Sequence, residues 1–463
     1  MTTLAHPAPH PVGGRSPDAV LLPHFVCRLS GLPVGHVESL RGPRCEALLS
    51  RLHDLERRLA AARDGISALL HEAVRAGEEG EGRRHLVQLR RDLYNLRPAR
   101  PAALEAARAI LSPAQGAEVE AFAAILCERA ETTAALREAH AGETRAARRR
   151  FRALLDDPGF QKGLLVSSRT LHGAQERYRA AGDAALGGKL EKTERGLLRY
   201  FTRTAMKATP FATLCAVVPG TFVPAADGEG FRLDGDPLAK RSVARLNKQV
   251  HGIATHFLLS RRDLRPHLHV ELNPTVAEEG DRIAYLAVHQ GREAFQRLPR
   301  NPVVELVAAT VAERGHLPLG ELARVLAAHP DVEATEEEAL AYVGRLVDTG
   351  LLRFRLGIRE QDVDWDLPMR ALLESIPDER AHLLAGVLAK LRREVARFES
   401  AGVEERDSIL AECRRELESL REPLKLRGVN LGMLPFMEDA TADASVAIAR
   451  APGVLRVEEA LES

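Results

Sequence analysis

From Pro43 to Asp156 the chain keeps one pattern, in which Leu48, Leu52, Leu55 and Leu59 recur at three- and four-residue steps. That period gives a helix a single apolar stripe, and a stripe this long has to be covered by another helix. Pro98 and Pro101 make the clearest break. The pattern therefore predicts long antiparallel helices, and few folds accommodate them without further layers.

Elsewhere the pattern changes repeatedly. "LLPHFVCRLSGLPV" (21–34) reads as a short buried strand that leaves Arg28 at its end. A strand is predicted over 211–218 and a helix over about 241–260. "HLHVEL" and "DRIAYLAVH" then read as two alternating strands joined by the turn material "NPTVAEEG". Residues 301–358 spell three short helices and a strand, "LLRFRLGI"; Thr335 suits the third helix as N-cap with Glu338 as capping-box partner, and Gly350 suits its stop. Helices follow over about 367–420, then the apolar stretch "VNLGMLPFMEDAT". The expected fold is helix-rich α+β, with long helices, small mixed or antiparallel sheets and a winged-helix-like module. The expected segments are a disordered tail (1–18), an N-terminal helical and α+β region (19–262), the winged-helix-like module (263–360) and a helical region (361–463).

At 463 residues the chain has room for about three domains. Lys plus Arg and Asp plus Glu both total 65, so no global field draws it to nucleic acid or membrane. A local patch would have to do so. Cys27, Cys45, Cys127, Cys215 and Cys413 are scattered and odd in number, which argues against a disulfide framework or a zinc site and fits a reducing cytoplasm. The N-terminal stretch lacks the apolar core of a signal peptide, and no run approaches membrane-spanning length. His267 and His269 share a strand face, but nothing nearby supplies further ligands, so no metal is expected. Phosphate loops, dinucleotide fingerprints, zinc-protease helices and nucleophile elbows are all missing.

The most basic tract runs from Arg145 to Lys207, with fifteen Lys or Arg against six Asp or Glu. It ends in "RYFTRTAMKATPFATL". Arg199, Arg203 and Lys207 are four apart, so on a helix they form a row about 12 Å long. Like charges at that spacing repel unless an anion covers them. Thr209 precedes Pro210 and is pushed towards extended geometry, which ends the helix near Lys207 or Ala208; Phe211 is expected to anchor the following strand in the core. Two readings stay open at this point: a solvated face balanced by the helix dipole, or a seat for phosphates.

At this turn the chain resembles the class I lanthipeptide (lantibiotic) dehydratases, in their N-terminal glutamylation region. The family's R-x-x-x-R helix running into T-P-F-G stands here as "RTAMKATPFATL". "PHFVCRLSGLP", "RRDLYNLR" (90–97), "ELNPTVAEEGDRIAYL" and "LPFMEDAT" (434–441) match other family segments in family order. The resemblance implies transfer of a glutamyl group from charged tRNA to a Ser or Thr hydroxyl of a precursor peptide, with no bound cofactor and glutamyl-tRNA as co-substrate. It assigns Arg203, Lys207 and Thr209 as catalytic, and Arg28, Arg199, Arg203 and Lys207 as tRNA- or substrate-binding. Three positions depart from the family pattern: Lys207 for arginine, Ala212 for glycine, and Asn247 for aspartate. The chain stops soon after the E-D-A segment, so the resemblance implies an incomplete last region, and hence a fragment, a split or a reduced member. Dehydration would then need a separate elimination-domain protein.

In the winged-helix-like module the third helix opens "TEEEA", whose carboxylates would oppose DNA phosphates. The resemblance gives the module another role, capture of the precursor's leader by strand addition. A module that only packs between domains, a non-catalytic peptide-binding partner, and an enzyme resembling peptide aminoacyl-tRNA ligases are the alternatives.

Overall fold

The computed structural model describes residues 23–182, 186–209, 211–223, 230–289 and 291–449. The expected tail (1–18) and Pro210 lie outside them. In chain order the elements are β1 (His24–Ser30), α1 (Val34–Glu38), α2 (Pro43–Ala76), α3 (Glu81–Tyr94), α4 (Pro101–Ile110), α5 (Pro113–Leu154), α6 (Pro158–Ser167), α7 (Arg169–Ala180) and α8 (Gly188–Met206). Next come β2 (Cys215–Val223), β3 (Phe231–Leu246), α9 (Lys248–Ser260), β4 (His269–Leu272), β5 (Ala277–Glu279), β6 (Arg282–His289) and β7 (Arg292–Pro299). They are followed by α10 (Pro302–Arg314), β8 (Leu317–Pro318), α11 (Leu319–Ala327), α12 (Glu336–Thr349), β9 (Leu352–Phe354), α13 (Asp366–Ser375), α14 (Glu379–Ser400), α15 (Val403–Ser419) and β10 (Phe436–Ala449). Contacts divide the described residues into two units: one holds those within 32–160 and 170–207, the other those within 23–31, 161–169 and 208–449.

The first unit is helical. Proline at the first position starts α2, α4 and α5, where its missing N–H costs nothing. Ser112 closes a full capping box with Gln115 at the start of α5. The ion pair Arg51–Glu128 and the contact of Cys45 with Glu143 set α2 and α5 antiparallel, as the leucine spacing predicts. Glu143 accepts the free backbone N–H groups of Arg44 and Cys45 at 3.0 Å each, capping α2 from a distant part of the chain. Gly42 makes this possible, because a Cβ there would overlap the Glu143 carboxylate. Leu59, Leu70, Leu89, Val119, Phe122 and Leu126 fill the seam.

The second unit contains three sheets. The largest has strand order β1-β2-β10-β3, with β2 and β10 parallel and both outer pairs antiparallel. Trp365, Phe257, Phe398 and Phe436 dominate the core that includes Ala244 and Leu246 of β3. A second sheet, β8-β4-β9, packs with α10, α11 and α12 around Val270, Val307, Leu322, Val343 and Leu352. Thr335 and Glu338 form both halves of the capping box, and Gly350 ends α12 in the left-handed conformation (φ 87°). The third sheet is β5-β6-β7.

Several expectations are corrected. "HLHVEL" and "DRIAYLAVH" are not paired: β4 joins β8 and β9, whereas β6 joins β5 and β7. Asn273 causes the separation. It is buried, donates to the carbonyls of Leu286 and Gly350, and accepts from the Thr275 backbone and hydroxyl, so the N-P-T segment is a bracket between sheets. The predicted helix at 241–260 begins only at Lys248, because 231–246 extends along β10. β1 is a half-exposed edge strand, with Val26 at 72% exposure, and not buried.

Candidate functional site

Helix α8 is oriented by Phe201, which is fully buried against Phe151 (ring centroids 5.4 Å) and Phe160 (5.5 Å). Residues two places before and after it lie about 200° around the axis, so Arg199 and Arg203 must point away from that core. Both are exposed. The helix ends at Met206, and Lys207 follows as an extended C-cap (φ −136°) whose N–H donates to the Arg203 carbonyl at 2.9 Å. Lys207 is exposed and Thr209 is half-buried.

Three other cations of the same tract are paired: Arg148 with Glu194 at 2.8 Å, Arg179 with Asp156 at 2.9 Å, and Arg195 with Glu191 at 3.7 Å. Arg199, Arg203 and Lys207 have no ion-pair partner among the described residues. The C-terminal end of α8 is therefore an uncompensated cluster of three positive charges. A cleft of about 390 Å³ lies farther back along α8, lined by Glu194 and Leu198 of that helix with Cys45, His140 and Phe151, and none of the three cations lines it.

Past the turn, Phe211 is 44% exposed and does not anchor the strand as expected; Ala212, Thr213 and Leu214 are the buried residues. Ala212 has φ 47°, a conformation that disfavours a Cβ, and its N–H donates to the Glu438 carbonyl at 3.0 Å. Glu438 in turn pairs with Arg406 at 2.6 Å inside the unit, and Ser242 donates to the same carboxylate. Burial and the Arg406 charge push the Lys162 amine below its ordinary range, against the opposing pull of Glu438. Neither Arg406 nor Ser242 carried a signal in the sequence, since both reach Glu438 from distant segments.

Arg28 stands exposed on β1 without an ion-pair partner among the described residues. The expected histidine face does not form. His267 lies in a 3₁₀ turn, while His269 meets His316, Nδ1 to Nδ1, at 2.8 Å. Burial, then His316, lowers the His269 pKa. Among the described residues no group of three side chains suited to a metal is found, and no helix is long and apolar enough to cross a membrane.

Residues 156–451, which include the α8 row, the Thr209 turn and the E-D-A strand, match the family model "Lantibiotic dehydratase, N terminus". The chain belongs to the lantibiotic dehydratase family. Its fold is similar to the solved "Glutamylation domain, TbtB, from thiomuracin biosynthesis", with TM-score 0.67 and 21% identity over 92% of this chain and 50% of that one. The same domain bound to 5'-phosphodesmethylglutamycin gives 0.63 and 20% over 91% and 49%. This chain thus spans about half the length of those solved chains, and the likeness establishes the helix-rich α+β fold. No curated protein sequence matches it.

Two departures from the lantibiotic dehydratase pattern have structural accounts. Asn247 caps α9, accepting from the Gln249 N–H at 3.0 Å and donating to the Leu434 carbonyl at 2.9 Å. Its amide needs both a donor and an acceptor there, which an aspartate could not supply. Ala212 occupies the left-handed position where the family's glycine would be unstrained. Lys207 keeps a charge but presents it as a point and not a fork.

Proposed function

We propose that this lantibiotic dehydratase family chain transfers an aminoacyl group, glutamyl by its resemblance, from charged tRNA to a Ser or Thr hydroxyl of a ribosomally made precursor peptide. The uncompensated cluster Arg199, Arg203 and Lys207 is the observation that supports this reading. Those cations would hold phosphates near the acceptor end and displace their counterions. In the reaction the peptide oxygen attacks the ester carbonyl, the new ester bond forms, and the tRNA 3′ oxygen leaves with the proton the peptide oxygen gives up. Because the ester is already activated, positioning supplies much of the acceleration. Thr209, next to the last cation, would orient the ester.

The module at 263–360 is proposed to hold the leader peptide. The outer edges of β8 and β9 pair with no strand among the described residues, and a groove of about 440 Å³ beside α12 is lined by Arg262, Leu340, Gly344 and Arg345. An added strand there would gain main-chain hydrogen bonds. The transfer would take place in the cytoplasm, where charged tRNA is found.

The test incubates the full chain with glutamyl-tRNA and the precursor peptide encoded beside its gene, then weighs the peptide. A mass gain of one glutamyl group is expected, and it should vanish in Arg203→Ala/Lys207→Ala while peptide binding persists. Peptide binding with no mass gain would favour a non-catalytic partner; a different mass gain would favour a peptide aminoacyl-tRNA ligase.

A further inference from the structure

We infer that the open face of the four-stranded sheet carries an oxyanion seat formed by Arg28 and Arg241, with the Thr441 hydroxyl between them. Strand register makes the case. Arg28 lies opposite Val217, Val217 opposite Thr441, and Thr441 opposite Arg241, one continuous row across β1, β2, β10 and β3. Directly opposed residues share a face of the sheet, so all four side chains project together.

The opposite face is closed. Ala216 and Val218 of β2, Ala440 of β10 and Ala244 of β3 are buried there, which backs the row with packed core. On the open side Arg28 and Arg241 are both exposed, and neither has an ion-pair partner among the described residues. Three strand intervals separate their Cα atoms, about 14 Å. Two flexible three-methylene stems can bring both guanidinium groups over Thr441 from opposite sides.

The remaining arginine on this face behaves differently. Arg245 is held by Asp439 at 3.1 Å, so that carboxylate is engaged and does not compete for Arg28 or Arg241. Two free forks flanking a hydroxyl are the donor set that phosphate and carboxylate groups select. The hydroxyl of Thr441, one strand from Arg241 and two from Arg28, adds a neutral donor inside the row.

The seat deepens the transfer reading and rests on it for the source of the anion, either a phosphate of the tRNA end or the side-chain carboxylate of an acidic aminoacyl group. The test titrates the full chain, at low ionic strength, with inorganic phosphate in one arm and glutarate in the other. Saturable binding of at least one is expected, and the arm that binds identifies the source. Arg241→Gln should weaken it at least tenfold, Thr441→Val several-fold, and Arg245→Gln less than twofold. Arg241→Lys, which retains stem and charge, should fall between Arg241→Gln and the parent and serves if Arg241→Gln fails to fold. No saturable binding by the parent protein, or equal losses from Arg241→Gln and Arg245→Gln, would overturn the seat. Anion binding with this variant pattern but no aminoacyl transfer would remove the transfer reading and leave the seat standing; transfer without anion binding would do the reverse.

Discussion

Arg406 and Glu438 meet at 2.6 Å with neither side chain open to solvent. The guanidinium also lies 4.3 Å above the Phe398 ring, and one of its nitrogens donates to the Glu399 carbonyl at 3.3 Å. Desolvating two charges offsets most of their attraction, so such a pair adds little net stability while both partners remain. Removing one strands the other. Arg406→Met is therefore expected to destabilise the protein by about 3–5 kcal/mol in denaturant titrations, and Arg406→Met/Glu438→Leu by clearly less than the sum of the single changes. A loss below about 1 kcal/mol for Arg406→Met would contradict the buried pairing.

Ala212 gives a prediction of opposite sign. Its φ of 47° costs about 1–2 kcal/mol for a residue with a Cβ, whereas glycine adds about 0.4–1 kcal/mol of unfolded-state entropy. Ala212→Gly should raise stability by roughly 0.5–1 kcal/mol, read from the denaturation midpoint. Ala212→Val should lower it, since a branched side chain is worse in this conformation. A loss on Ala212→Gly would show that the left-handed turn is not strained.

How far the sequence carries the account depends on where the partners lie. Leu55 and Leu59 announce their helix because the information is local, and Thr335 with Glu338 announces a cap for the same reason. Asp234, Gly235 and Asp236, by contrast, pair with Ser445, Ala444 and Asp443 of β10, far along the chain. Gly235 (φ 87°) is paired with Ala444 just beyond the register shift, and a Cβ on it would strike the Asp443 carbonyl. In the candidate site, the exposure of Arg199 and Arg203 follows from helical spacing once Phe201 is known to face inward. The partners of Glu438 and the row from Arg28 to Arg241 are set by sheet register across four segments, which no local pattern encodes.

His251 supplies a pH dependence. It is buried beside Trp365 (ring centroids 5.1 Å), its Nδ1 lies 3.5 Å from the Thr255 hydroxyl, and its Nε2 has no partner among the described residues. Burial depresses its pKa, opposed by the Glu360 charge. As pH falls below the unfolded value of about 6.5, the unfolded chain binds a proton that the folded chain resists, so stability declines until the depressed folded pKa is passed. The difference between the parent and His251→Phe should therefore slope by up to about 1.4 kcal/mol per pH unit in that window and be flat above pH 7.5. Parallel stability curves across the window would show that His251 protonates freely.

The most direct measurement of the central claim is the salt dependence of glutamyl-tRNA binding by the parent chain and by Arg199→Gln/Arg203→Gln/Lys207→Gln. Each phosphate neutralised contributes about 0.7–0.9 to the slope of log affinity against log salt. If the end of α8 seats RNA phosphates, the triple variant should bind more weakly at low salt and show a slope shallower by about 2–3, with its unfolding transition unchanged. Superimposable slopes would mean that these three cations face solvent alone.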